Sequence, residues 1–194
     1  KLKIATITTG ELEPLNKKVI RLIEEREYIK TSVALPLYLA CEQAKKDNVK
    51  VIFSGLGSEE IFAGYRRHKI AQDANLECLE GLKILHERDL YRDDVITMSN
   101  NLELRVPFLD IDLIKYSLKI PVKHKLDMQQ NRSKIILRDI SKDLGIAEKY
   151  AERQKKAAQY GSKFDKGLLR LAKNAGLGKQ EYLNSLPIRE VPKI

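Results

Sequence analysis

The chain has no tryptophan, only two cysteines and three histidines, and no apolar run approaching the ~18 residues of a membrane helix. Each shortage excludes something. Cys41 and Cys78 stand far apart without a Cys-x-x-Cys pair, so a disulfide framework is not expected; they read as reduced, buried thiols of a cytoplasmic protein. His68, His86 and His124 are scattered, with neither metal-ligand spacing nor a nearby nucleophile, and carry no catalytic role. No signal-peptide pattern opens the chain, no internal repeat recurs, and no linker marks a second domain. A long basic block is missing too. The net charge is +9, yet the bases run from Lys1 to Lys193 mixed with acids, so nucleic acid is not expected as a partner and a solvated charged surface is.

What is present is globular: 194 residues, 43% apolar and 32% charged, enough for one domain with a substantial core. Leu2–Thr8 alternates as a strand would. Apolar residues from Leu12 to Ile23 fall at helical spacing, with Pro14 near the start. Thr31 or Ser32 opens a second helix running to about Asn48, placing Pro36 near its first turn. Val49–Phe53 then reads as a buried parallel strand, and the alternation up to it predicts a parallel sheet with crossover helices. Beyond Ile61 strand signals fade. Leu76, Leu79, Leu82 and Leu85 predict an amphipathic helix, and Arg92-Asp93-Asp94 a polar turn. Asp110 caps a helix through Leu118, Ser133–Leu144 is helical up to Gly145, and the last third is helical with a break between Asn174 and Gly178. The expected layout is an α/β half over residues 1–68 and a helical half over 69–194.

One stretch organises the chain. After the strand, Ser54-Gly55-Leu56-Gly57 supplies two glycines at a sharp turn, and Ser58 is placed to cap a helix beginning Glu59, Glu60, Ile61. Strand, glycine turn and helix start make a common anion site. Two acids there would repel an anion unless a divalent cation lay between them, which points to a nucleotide with Mg²⁺. The plainer alternative is turn chemistry, with acids that favour a helix dipole.

Ser54-Gly-Leu-Gly-Ser-Glu-Glu-Ile-Phe-Ala-Gly-Tyr-Arg-Arg-His68 resembles the Ser-Gly-x-Gly-(Ala/Ser)-Asp-Glu-x-(Phe/Leu)-(Gly/Ala)-Gly-Tyr segment of asparagine synthetases. Leu102-Glu-Leu-Arg-Val-Pro-Phe-Leu-Asp110 is similar to a second family motif, and Arg153-Gln-Lys155 to a third, in the family's order. Arg92-Asp-Asp94 and Gln159-Tyr-Gly-Ser162 look closest to the asparagine synthetase domain-containing branch. The resemblance implies an adenine-nucleotide-hydrolase-like α/β fold of ATP pyrophosphatase type. It also implies an amide-forming ligase: ATP adenylates the carboxylate of aspartate or a similar acid, pyrophosphate leaves, and ammonia displaces AMP. By the same resemblance Ser54, Gly55, Gly57 and Ser58 bind the nucleotide, Glu59 stands near Mg²⁺, and Glu60 and Lys155 are the catalytic pair. Lys155 would neutralise charge on pyrophosphate and the acyl-adenylate. Arg105 and Asp110 would support the pocket. Taken alone, Lys155 beside Lys156 reads as a solvated lysine.

Several departures limit what is implied. Leu56 stands where synthetases often carry a glutamate suited to general-base work, and Val95 where an arginine is usual. No Ser-Gly-Gly-x-Asp-Ser pyrophosphate loop occurs, the first strand-loop-helix unit is absent, and no N-terminal cysteine glutaminase is present. The chain is therefore expected to be the C-terminal part of a larger polypeptide, served by an upstream or separate glutaminase. Two alternatives stay open: a nucleotide-binding pseudoenzyme acting as an interaction module, and an RNA-modifying ATP pyrophosphatase.

Overall fold

The computed structural model describes residues 3–187. In chain order it contains helices α1 (Thr9–Ile23) and α2 (Tyr28–Lys46), strand β1 (Val51–Phe53), and helices α3 (Ser58–Ile61), α4 (Arg66–Ile70) and α5 (Ala74–Lys83). Helix α6 (Tyr91–Ser99), strand β2 (Glu103–Arg105) and helix α7 (Ile111–Lys119) follow. A short hairpin, β3 (Leu126–Asp127) and β4 (Arg132–Ser133), precedes α8 (Ile135–Asp143) and α9 (Glu148–Ala151). Helices α10 (Ala158–Gly161), α11 (Phe164–Asn174) and α12 (Lys179–Ser185) complete the described chain. The protein is α/β, mainly helical, with a small parallel sheet. Glu103 N–H donates to the Lys50 carbonyl at 2.8 Å and Ser54 N–H to the Arg105 carbonyl at 2.9 Å, which sets β1 and β2 in parallel register.

The described chain divides into two compact units. The first combines the described residues up to Ile52 with Tyr91–Leu104 and those from Lys156 on. Its core is a helix packing: Leu12, Leu15 and Val19 of α1 meet Leu35 and Cys41 of α2 and Ile96 of α6. A second cluster joins Ile20 to Leu168 and Ala172 of α11 and Leu183 of α12. The second unit, Phe53–Leu90 with Arg105–Lys155, has smaller apolar clusters around Ile61, Phe62 and Ile120, and around Ala63, Ala74, Cys78 and Leu126.

Several elements differ from the sequence reading, each for a physical reason. Leu2 lies outside the described residues, and 3–8 join no ladder; Thr8 instead caps α1 in a reciprocal capping box with Glu11. Helix α2 starts one turn early because the Glu27 carboxylate accepts the Ile29 and Lys30 N–H groups, so Pro36 falls inside the helix. Strand β1 pairs as expected, but its outward residues are exposed, Phe53 at 77%. Helix α3 is a single turn capped by Gly57 rather than Ser58, too short for an appreciable dipole. Arg92 and Asp93 are not a turn; they are buried and paired within α6. On α5 the buried stripe is Ala74, Cys78 and Gly81, while Leu76 and Leu79 face outward. Other expectations hold: Asp110 caps α7 through the Asp112 and Leu113 N–H groups, Gly145 follows α8 at φ 87°, and Gly176 and Gly178 separate α11 from α12.

A candidate anion-binding site on the Ser54–Gly64 turn

The site lies wholly within the second unit. Ser54 Oγ accepts the Leu56 N–H at 3.1 Å, and the Ser58 N–H donates to the Gly55 carbonyl at 3.2 Å, so the turn closes on itself. Gly55 faces open space: a Cβ built there meets nothing within 4 Å. Gly57 has a different reason to be glycine. Its φ is 93°, and a Cβ would come within 2.4 Å of the Leu109 side chain. Gly64 lets the chain fold back over Glu59, whose Cγ would lie 2.6 Å from an added Cβ.

The two acids of α3 part company. Glu59 turns the other way and is largely buried under two lysines, its Oε1 accepting from Lys155 Nζ at 2.9 Å and from Lys134 Nζ at 3.0 Å. Ser58 Oγ donates to its other oxygen at 2.9 Å. Burial would raise the Glu59 carboxyl, but the two ammonium groups outweigh it and bring it down to about 2. Glu60 points inward and is fully buried, ion-paired with Arg88 and, at 3.7 Å, with Arg67. Its Oε2 has no hydrogen-bond partner among the described residues.

Tyr65 ties the two acids' partners together. The Arg67 guanidinium lies 4.3 Å, Lys155 Nζ 4.6 Å and the Arg88 guanidinium 5.5 Å from its ring centroid, a cluster of cation–π contacts. Burial, then Glu60 and Asp89, push its phenol well above the ordinary range. Beneath it His68 is buried, with Nδ1 accepting the Tyr65 N–H at 3.0 Å. Burial and the cations Arg67 and Lys125 lower this imidazole to about 4, so it is neutral at physiological pH.

Of the residues singled out in the sequence, Ser54, Gly55, Ser58, Glu59 and Lys155 gather at the turn and its ion pairs, whereas Glu60 points into the interior and Gly57 packs on Leu109. Lys155 is held by Glu59 and the Tyr65 ring; Lys156 is exposed, with no ion pair among the described residues. Arg105 is exposed and offers its carbonyl to Ser54, and Asp110 serves as a cap. Lys134 was missed. It stands 75 positions from Glu59, and its only local mark is structural: a left-handed backbone, φ 55°, at the start of α8. As arranged, the donor set does not fit a resident divalent cation. Each acid is paired with two cations, and among the described residues no group of three or more His, Cys, Asp and Glu side chains could hold a metal.

Comparison with known proteins decides the family. The asparagine synthase family model matches residues 3–80 and 71–185. The chain belongs to the asparagine synthase family. It is 33% identical over 225 aligned residues, 96% of its length, to a protein of Methanocaldococcus jannaschii provisionally named asparagine synthetase [glutamine-hydrolyzing] 1. It is 31% identical to the asparagine synthetase [glutamine-hydrolyzing] of Sandersonia aurantiaca over 70% of its length. It is 35% identical to asparagine synthetase domain-containing protein 1 of Gallus gallus over 62% of its length. The chain spans 41%, 24% and 20% of these three relatives, respectively. Relatives therefore come from both the synthetases and the domain-containing branch. No helix among the described residues is long and apolar enough to cross a membrane.

Proposed function

We propose that this asparagine synthase segment contributes to an ATP-dependent, AMP-forming ligase that makes an amide from a carboxylate such as aspartate and from ammonia, in the cytoplasm. The observation that carries the reading is the convergence of Lys134 and Lys155 on one oxygen of the Glu59 carboxylate, beside the open turn at Gly55. Two ammonium groups held that close would serve a diphosphate equally well. An adenine-nucleotide-hydrolase-like architecture is part of the proposal, with the missing first strand-loop-helix unit and a Ser-Gly-Gly-x-Asp-Ser loop supplied from outside this segment. A glutaminase, upstream or separate, would supply the ammonia.

In the reaction a carboxylate oxygen attacks the α-phosphorus of ATP, the bond to the bridging oxygen breaks, and pyrophosphate departs with the negative charge. Ammonia then attacks the acyl carbon, AMP leaves, and a proton is lost from nitrogen. Mg²⁺ enters this scheme as part of the substrate, Mg·ATP. The residues of this chain act electrostatically: Lys155 and Lys134 stabilise charge developing on the leaving diphosphate, and the Tyr65 ring fixes the Lys155 ammonium. Ser54 and Gly55 offer a hydroxyl and open backbone toward the nucleotide. Leu56 can move no proton, so ammonia must arrive neutral or lose its proton to solvent or to a group elsewhere.

The test is aspartate-dependent exchange of labelled pyrophosphate into ATP, by a polypeptide that carries this segment and a Ser-Gly-Gly-x-Asp-Ser loop. Lys155→Ala is expected to lower exchange on the order of 10²-fold, the size seen when one transition-state donor is removed. Normal exchange by the variant would refute the assignment. Leu56 favours a second reading, a nucleotide-binding pseudoenzyme, and Mg·ATP binding without exchange would establish it. RNA binding that survives physiological salt would instead support the RNA-modifying reading.

A further inference from the structure

We propose that Arg138 is a positioning residue for the ligase reaction: its guanidinium touches neither nucleotide nor acceptor, but fixes the spacing of Lys134 and Lys155 by binding the backbone beside each of them. The role rests on the proposed function, in which those two lysines stabilise the departing pyrophosphate.

Neither lysine sits on regular structure that would hold it. Lys134 is the left-handed residue between β4 and α8, and Lys155 lies in the irregular stretch between α9 and α10. An ammonium on a flexible four-carbon stem is placed no better than the backbone that carries it. Arg138, in the first turns of α8, supplies the restraint. Its Nε donates to the carbonyl of Ser133, the residue before Lys134, at 2.8 Å. Its Nη1 donates to the Ala151 and Arg153 carbonyls at 2.7 and 3.2 Å, on the approach to Lys155. One rigid, planar fork thus spans both segments. The side chain is only 14% exposed, so water competes little for these charge-assisted bonds. A second tie runs alongside. Glu152 Oε1 accepts from Arg132 at 2.6 Å and from Lys142 at 3.1 Å, again joining the chain ahead of Lys155 to the chain around Lys134. Capping of α9 would account for the bonds to Ala151 and Arg153, because carbonyls at a helix end need donors. It does not account for the same guanidinium holding Ser133 as well. A lysine at 138 would keep the charge, yet its single nitrogen cannot replace two separate donors of the fork.

The experiment follows aspartate-dependent pyrophosphate exchange in the polypeptide that carries this segment and a Ser-Gly-Gly-x-Asp-Ser loop. It compares Arg138→Lys, Lys155→Ala and the double variant, reads kcat and KM for Mg·ATP separately, and checks folding by thermal melting. Arg138→Lys is expected to lower kcat about 10- to 100-fold, the scale of an ångström-sized misplacement, with KM changed by less than about threefold. In the Lys155→Ala background the same substitution should cost less than about threefold, because a pair reduced to one lysine has no spacing left to lose. A purely structural Arg138 would instead lower the melting temperature and give the same loss in both backgrounds. Equal losses, or normal exchange by a folded Arg138→Lys protein, overturn the positioning role and leave that of the lysines standing. Normal exchange by Lys155→Ala, or none by the native polypeptide, overturns the proposed function and this role with it. Glu152→Gln covers the case in which Arg138→Lys does not fold. It should lower kcat about three- to tenfold, again only while Lys155 is present, and normal exchange by this variant would then overturn the positioning role.

Discussion

The two units of this chain bury different things. The first is built from apolar faces of long helices, with neutral polar groups such as Asn16, Thr31 and Thr97 inside and a buried ion pair, Arg92–Asp93, on α6. The second has less apolar core, and its interior holds Glu60, His68 and Lys125, each at most 1% exposed. Lys125 donates to Asn75 Oδ1 at 2.7 Å, and burial lowers its ammonium below the ordinary lysine range. Every residue of the candidate site belongs to this charged unit. Burying charge is a poor way to gain stability, since desolvation offsets most of the attraction. It is a good way to fix where charges point. In the second unit Glu60 sets Arg88 and Arg67, those two guanidiniums flank Tyr65, and Tyr65 carries Lys155.

The largest expected effects test that contrast directly. Leu35→Ala, at a fully buried position of the first unit, should cost about 2–5 kcal/mol through lost burial and a cavity. Glu60→Gln removes no volume, yet it takes the buried carboxylate from Arg88 and Arg67, which keep only Asp89 and Glu77 among the described acids paired with them, and should cost about 1–3 kcal/mol. Urea denaturation gives both numbers, and hydrogen exchange assigns each loss to its unit. A Glu60→Gln cost below about 1 kcal/mol would mean that the buried charges are not holding the second unit together.

Acid should separate the units next. The His68 imidazole falls from its ordinary 6.5 to about 4 in the folded protein. Between those values the unfolded chain binds the extra proton and the folded one does not, so stability is intact above pH 6.5 and declines as pH falls toward 4. The full loss is about 3 kcal/mol. Glu59, lowered from 4.5 to about 2, adds a further loss across that lower window. The first unit has its clearest shift on the alkaline side, where burial pushes the Cys41 thiol from 9.0 to about 11 and stability falls as pH rises through that interval. Residue-resolved NMR in mild urea should therefore show the second unit opening first on acidification, and His68→Gln should flatten its profile between pH 6.5 and 4.5. Opening of the first unit ahead of the second in acid would break the comparison.

The same division governs what could be read in the sequence. Helix α1, with its apolar spacing, and the Asp110 cap of α7 were legible because local periodicity and local caps determine them. So were the stop at Gly145 and the break before α12. Strand β2 was not, since three residues carry no periodic signal and its pairing partner β1 lies some fifty positions away. Helix α6 was hidden because Arg92 and Asp93 look like surface residues until each neutralises the other. At the site, the glycine turn and Lys155 were visible, but the split of Glu59 from Glu60 was not. That split depends on Lys134, Arg88 and Arg67, which reach the acids through tertiary packing.

Helix α5 offers the smallest effect and a pointed test of that division. Leucines 76, 79 and 82 of α5, with Leu85 just beyond its end, recur at near-helical intervals, yet on the helix the second unit buries Ala74, Cys78 and Gly81. The close approach at Gly81 explains the choice: a Cβ there would meet the Arg67 guanidinium at 2.9 Å, so this face is given over to the charged cluster around Glu60. Leu82 and Leu85 still reach the interior, while Leu76 is 56% exposed. Leu76→Gln should therefore change stability by no more than about 0.5 kcal/mol, the range for surface substitutions away from special features. The measurement is a urea midpoint at unchanged slope, taken beside Leu35→Ala as the core standard. A loss of 2 kcal/mol or more, the size of a core deletion, would mean that apolar spacing does report the buried face of the second unit, and that its charges are not what orients α5.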